Sequence, residues 1–105
     1  MNLKKVYRST KDLLKEVQAH FPKANVETIE EYTDGICITF DLVETDYRVR
    51  YSSARDCFER GRHFFRKLKP LKKYIKYTLG KRDFVMQTEC EKGFEIVTAV
   101  KAIKK

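Results

Sequence analysis

Between Asp34 and Tyr51 the chain repeats with a period of two. Asp34-Gly35 is a strong hairpin-turn pair, because a tight primed turn needs positive φ at its central positions. After it Ile36, Ile38, Phe40 and Leu42 alternate with Cys37, Thr39, Asp41 and Val43. Glu44-Thr45-Asp46 supplies a second turn, and Tyr47, Val49 and Tyr51 then alternate with Arg48 and Arg50. Successive side chains of a strand point to opposite faces, so the pattern gives strands with one apolar face. Residues 25–32 are β-capable and lead into the first turn. The expectation is a three-stranded antiparallel meander whose apolar face needs a covering layer.

The flanking segments supply helices. Ser9 with Asp12 has capping-box spacing, and Leu13, Leu14, Val17 and Phe21 recur at helical spacing up to Phe21-Pro22. Ser53 with Asp56 repeats the capping spacing, and Ala54, Phe58, Gly61, Phe65 and Leu68 form one stripe that resumes as Leu71, Ile75 and Leu79. Pro70 is expected to kink or break this long basic second helix, and Gly80 to stop it. Phe64, Phe65, Leu68, Leu71 and Ile75 are assigned to the core. Residues 83–90 and 94–103 alternate around Glu91-Lys92-Gly93, which predicts a final hairpin. The fold class expected is α+β: one domain over residues 1–105, of order α-β-β-β-α-β-β, with helices packed on a mostly antiparallel sheet. A chain of 105 residues suits one domain with a modest core.

Charge is distributed unevenly along the chain. Residues 60–82 contain ten cations, Arg60, Arg62, Arg66, Lys67, Lys69, Lys72, Lys73, Lys76, Lys81 and Arg82, and no Asp or Glu. Residues 24–46 contain seven acids and no Lys or Arg, within a chain of net charge +8. On a continuous second helix, Arg55, Arg62, Arg66, Lys69 and Lys73 share a narrow band, with Arg60 and Lys67 on the other flank. Asp56 and Glu59 neutralise only its first two turns. Cations spaced by one helical turn, ~5.4 Å, can track successive phosphates. Tyr74 and Tyr77 fall beside Lys73 on the polar side, where they suit base stacking or a protein hot spot.

The order α-β-β-β-α with a basic second helix resembles, in topology, the double-stranded RNA-binding domain over residues 9–79. That resemblance implies phosphate contacts from the start of the second helix. The opening "SSARDCFERGR" departs from it, with Asp56 in place of a compact lysine block, and "YTDGI" is a tight turn where the family has a histidine-bearing loop. "DYRVRY" followed by "FFRKLKPLKK" is faintly similar to the RelE-type mRNA-cleaving toxins, which place two helices before the sheet and act on ribosome-bound RNA.

Motifs for catalysis are sparse. No nucleophile elbow, phosphate-binding glycine loop or paired-histidine motif occurs. Asp41, Glu44 and Asp46 with Glu30 or Glu31 form the best carboxylate set for a metal-dependent nuclease. His63 is a lone candidate base, and Cys57 beside Arg55 a lone candidate for an activated thiol. Cys37, Cys57 and Cys90 are too scattered for a disulfide framework or a zinc site, and fit reduced thiols in the cytoplasm. No apolar run approaches the ~20 residues of a membrane span, and MNLKKVYRST does not read as a secretory signal.

The function expected is a non-enzymatic nucleic-acid-binding domain without cofactor or metal, RNA slightly favoured. Its contacts would be Arg55, Arg60, Arg62, Arg66, Lys67, Lys69, Lys72, Lys73, Lys76, Lys81 and Arg82, with Tyr74 and Tyr77 stacking. Its partner would be nucleic acid or a nucleoprotein complex, and not a membrane. The alternative is a small phage-type inhibitor or adaptor, such as an anti-CRISPR-like protein, gripping an acidic protein. A homodimer through an edge strand, 94–103, is also compatible with the pattern.

Overall fold

A computed structural model of the chain describes residues 10–43, 45 and 47–103. It is a small α+β domain with two helices on one face of a seven-stranded, mostly antiparallel sheet. Helix α1 spans Thr10–His20. Strands β1 (Asn25–Tyr32), β2 (Gly35–Asp41), β3 (Arg48–Ser52), β4 (Cys57–Arg60) and β5 (His63–Phe65) then follow as a continuous meander. Helix α2 spans Leu68–Leu79 and leads to the hairpin of β6 (Phe84–Glu91) and β7 (Phe94–Ala102). The strand order is β1-β2-β3-β4-β5-β7-β6, with β5 and β7 parallel and every other pair antiparallel. The Ser9 cap, Glu44 and Asp46 lie outside the described residues.

The core follows from the register. Ile38 pairs with Tyr51, Tyr51 with Phe58, Phe58 with Phe65, and Phe65 with Val97. That row of side chains faces the helices and is buried against Leu13 and Val17 of α1 and Leu71 and Ile75 of α2. Burying each such side chain contributes about 1.5–3 kcal/mol, which is what holds the helix layer down. The opposite face has no helix. There Arg50 Nε donates to the buried Cys37 Sγ at 3.3 Å, and the Arg55 guanidinium lies over the rings of Phe64 and Phe94. Of the five residues expected in the core of the basic segment, Phe65, Leu68, Leu71 and Ile75 are buried, whereas Phe64 is half-buried on this uncovered face.

The long second helix is not formed. Its expected first half is the β4–β5 hairpin, so five strands stand between the two helices. The misreading has a physical origin. Phe58 and Phe65 are seven residues apart, a spacing that stacks on a helix face. The same seven residues also bring two side chains opposite each other across a hairpin with a two-residue loop, which is what the chain does here around Gly61-Arg62. Gly61, with φ +61°, sits at the first loop position, where a primed turn needs positive φ. The Ser53/Asp56 capping spacing also has another use. Ser53 is fully buried, its Oγ accepts the Ile36 N–H at 2.8 Å, and the Tyr51 hydroxyl donates to Asp56. A Cβ on Gly35 would lie 2.3 Å from that Ser53 Oγ, so the glycine is required by close approach.

Pro70 neither kinks nor breaks a helix. It is the third residue of α2, in the first turn, where backbone N–H groups have no intrahelical acceptor to lose. Strand β7, expected as a dimerising edge, lies between β5 and β6; the edges of the sheet are β1 and β6.

The hairpin can be tested against the helix by a single sign. On a helix, Gly61→Ala would stabilise by about 1 kcal/mol. In the left-handed conformation observed it should destabilise by about 1–2 kcal/mol, with no steric contribution because nothing lies within 4 Å of the added methyl. Gly61→Asn should cost less. Urea melts of the three proteins decide; a higher midpoint for Gly61→Ala would refute the hairpin.

Candidate polyanion interface

The lysines of α2 follow from how the helix is laid down. At about 100° per residue, Lys69, Lys72, Lys73 and Lys76 occupy one arc of about 100°, opposite Leu71. Burial of Leu68, Leu71 and Ile75 turns that arc to solvent, and all four lysines are exposed. None has a carboxylate within 4.0 Å among the described residues. Lys67 occupies the N-cap position, without a side-chain cap, and no acidic residue lies in the first turn. At the other end, the Lys81 N–H donates to the Thr78 carbonyl and the Arg82 N–H to the Tyr77 carbonyl. Lys81 takes the left-handed conformation (φ 52°) that closes this C-terminal motif, while Gly80 itself is right-handed.

The arginines behave differently. Of the seven among the described residues, six have their head groups engaged within the fold. Arg48 pairs with Glu27 and Arg66 with Glu91, each at 2.6 Å. Arg50 bonds Cys37, Arg55 covers Phe64 and Phe94, Arg60 lies 4.2 Å over the Tyr47 ring, and Arg82 lies over Tyr77. The hydrogen bond with Glu91 raises the Arg66 pKa, and that same bond holds the Glu91 carboxyl below its ordinary range. Arg62, in the β4–β5 turn, is exposed. The predicted band of Arg55, Arg62, Arg66, Lys69 and Lys73 therefore does not exist as one surface; only its lysines share a helix.

The tyrosines also take other roles. Tyr74 packs edge-on to His63 and Phe84, at 5.1 and 5.7 Å between ring centroids, and 5.5 Å from Phe65. Tyr77 lies against Phe84 and under Arg82. Both are half-buried supports of α2 and not open stacking platforms. His63 is on a strand and packs on Tyr74, so its surroundings are those of a packing residue.

The described acids of residues 24–43 do not neutralise α2. Glu27 pairs with Arg48, Glu30 accepts the Tyr32 hydroxyl, and Asp41 accepts the Val43 N–H. Strand β1 is one edge of the sheet, whereas α2 packs over β5 and β7. At ~4.8 Å per strand, β1 lies ~19 Å from β5 and ~24 Å from β7. The charge is separated in space as well as in sequence.

The carboxylate set is dispersed too. Asp41 pairs with Asn25 at one end of the β1–β2 hairpin, and Glu30 and Glu31 pair with Cys37 and Ile36 towards the other, ~14 Å away along the strand. No group of three or more His, Cys, Asp or Glu able to hold a metal occurs among the described residues. Cys57 is buried on β4, its Sγ donating to the Arg55 carbonyl at 3.2 Å. Burial pushes its thiol pKa up, and nearby Arg66 offsets that only in part.

Sequence reasoning missed Lys101. It lies on β7, yet it lines a cleft with Lys67, Lys69 and Lys73. Alternation along β7 could place its side chain on a face, but not beside a helix whose start was misjudged by more than ten residues. No helix among the described residues is long and apolar enough to cross a membrane. No protein-family model, no curated protein and no solved structure matches the chain.

The thiols give a check on this arrangement. Cys90 is exposed, whereas Cys37 and Cys57 are buried. A disulfide exchange reagent at mildly alkaline pH should therefore modify Cys90 quickly, and the other two only as the chain unfolds in urea. Rapid modification of Cys57 in the folded protein would contradict both its burial and its raised pKa.

Proposed function

We propose that the protein is a non-enzymatic nucleic-acid-binding domain that grips the phosphate backbone through the lysines of α2. The observation that supports this most directly is the uncompensated arc of Lys69, Lys72, Lys73 and Lys76, with the acidic strand at the far edge of the sheet. Lys67 and Lys69 also stand at the positive end of the helix dipole, where cations are unfavourable by a few tenths of a kcal/mol and an anion is favoured. A partner that supplies phosphates relieves both terms.

The residue types bear on specificity. Lysine is a flexible point charge, while base edges in the major groove are read by the planar fork of arginine or by amides. Arginines with engaged head groups and lysines left free suit backbone binding with little sequence preference. The topological ground for favouring RNA is absent, because β4 and β5 interrupt the α-β-β-β-α order. The reading proposed is therefore phosphate binding on either polymer, in the cytoplasm.

A second reading, a small inhibitor or adaptor acting on a nucleic-acid or defence complex, draws on the edge strand β1. Seven of its eight residues are exposed, and Ile29 and Tyr32 are both more than half exposed. An exposed strand edge can accept a strand from a partner protein.

Anisotropy of labelled oligonucleotides at about 50 and 200 mM salt tests the first reading. The wild type should bind with a steep salt slope. Replacing Lys69, Lys72, Lys73 and Lys76 by Ala should flatten the log–log slope by about 3, at ~0.7–0.9 for each phosphate no longer neutralised. An unchanged slope in a folded quadruple variant would sink the assignment. Binding only in the presence of a protein target would favour the adaptor.

A further inference from the structure

We infer that the phosphate track is the cleft between the first half of α2 and strand β7, and that its occupant is a single sugar–phosphate strand. The inference rests on the phosphate-binding reading above and locates it. Lys67, Lys69 and Lys73 line one side of the cleft and Lys101 the other, with Pro70 and Val100 among the apolar residues between them. No acidic side chain lines it. A row of cations along one wall, an apolar floor and β7 residues 98–101 opposite match a strand that turns its phosphates to the helix and its sugars to the floor.

The surroundings give the track a direction. A neighbouring cleft shares Lys67, Pro70 and Thr98 with the first, but contains Glu89 and Glu91. Glu91 is held by Arg66. Glu89 has no such partner among the described residues and repels a phosphate there. A polyanion entering at Lys67 is therefore steered away from β6, towards Lys73 and Lys101.

Size and shape narrow the occupant. The cleft holds about 250 Å³, below the ~300–1,000 Å³ of sites that enclose small ligands. It suits a segment of polymer passing through. A single strand lying in it meets the lysines of the α2 wall along its length. A duplex, whose two backbones are held apart across its grooves, rests on the rims and meets mainly Lys72 and Lys76, which lie further round the helix from the cleft. No open aromatic ring lines the cleft, so bases are not stacked and sequence matters little.

The test compares two double variants on two labelled probes of equal phosphate number, an oligouridylate and a hairpin RNA duplex. Cleft variant Lys69→Ala/Lys101→Ala should weaken oligouridylate binding by roughly tenfold or more at about 50 mM salt, and duplex binding much less. Crest variant Lys72→Ala/Lys76→Ala should weaken duplex binding more than oligouridylate binding. All four lysines are exposed, so unchanged circular dichroism melts serve as the folding control. If the crest variant alone abolishes binding of both probes, the cleft is not the track, although phosphate binding by α2 stands. If the wild type prefers the duplex, the single-strand occupant is overturned. If the wild type binds neither probe even at low salt, the nucleic-acid reading itself fails, and the cleft with it.

Discussion

Three residues, His63–Phe65, join the two halves of the sheet. Strand β5 pairs antiparallel with β4 on one side and parallel with β7 on the other. Without it the structure would be a four-stranded meander and a separate hairpin. The join is short, so backbone hydrogen bonds alone do not secure it. Phe65 supplies most of what does: its side chain is fully buried, pairs across to Phe58 and Val97, and meets Tyr74 of α2. Helix α2 lies over the same junction, packed on β5 and β7. The position of the lysine arc, and of the cleft beside β7, thus depends on a strand that no local signal announces.

This explains what could be read in advance and what could not. Strands β2 and β3 follow from local alternation, and β6 and β7 from alternation around Glu91-Lys92-Gly93; β1 is only weakly patterned, and the turn after it falls at Thr33-Asp34, one residue before the expected Asp34-Gly35, because Gly35 already pairs with Tyr32. Those signals sit within a few residues of the structure they specify. The stretch 53–67 is different. Its apolar residues fit a helix at i, i+4 and i+7 and fit a hairpin equally, and the choice falls to Phe65 finding Val97, more than thirty residues away. Pro70 misled for a related reason. A proline inside a helix breaks it, but one in the first turn begins it, and only the location of the true start distinguishes the two.

The basic surface was legible in kind but not in detail. Charge counting found the basic segment, and the segment does remain without internal counter-charge at α2. Charge counting treats lysine and arginine alike, and the fold does not. Arginine's planar, delocalised cation stacks on rings and forms directed bonds, so Arg55, Arg60 and Arg82 lie over aromatics and Arg48 and Arg66 pair with glutamates. Lysine keeps its hydration and its freedom, so the lysines remain on the surface. Tyr74 and Tyr77 were drawn inward by the same aromatic chemistry, around Phe84.

The two signs of charge therefore occupy different parts of the architecture. Free strand edges are templates for unwanted pairing, and acidic side chains or bulges on them oppose it. Strand β1 has a bulge at Glu27, whose charge Arg48 offsets, with Glu30 and Glu31 beyond it, and β6 carries Glu89, with Glu91 held by Arg66. Two acidic edges repel one another, which disfavours growth of the sheet from copy to copy. The free lysines instead stand on the helix layer, out of the plane in which strands add. The potential is therefore most positive over α2 and less so at both rims of the sheet. Such a field would orient a polyanion before any contact formed.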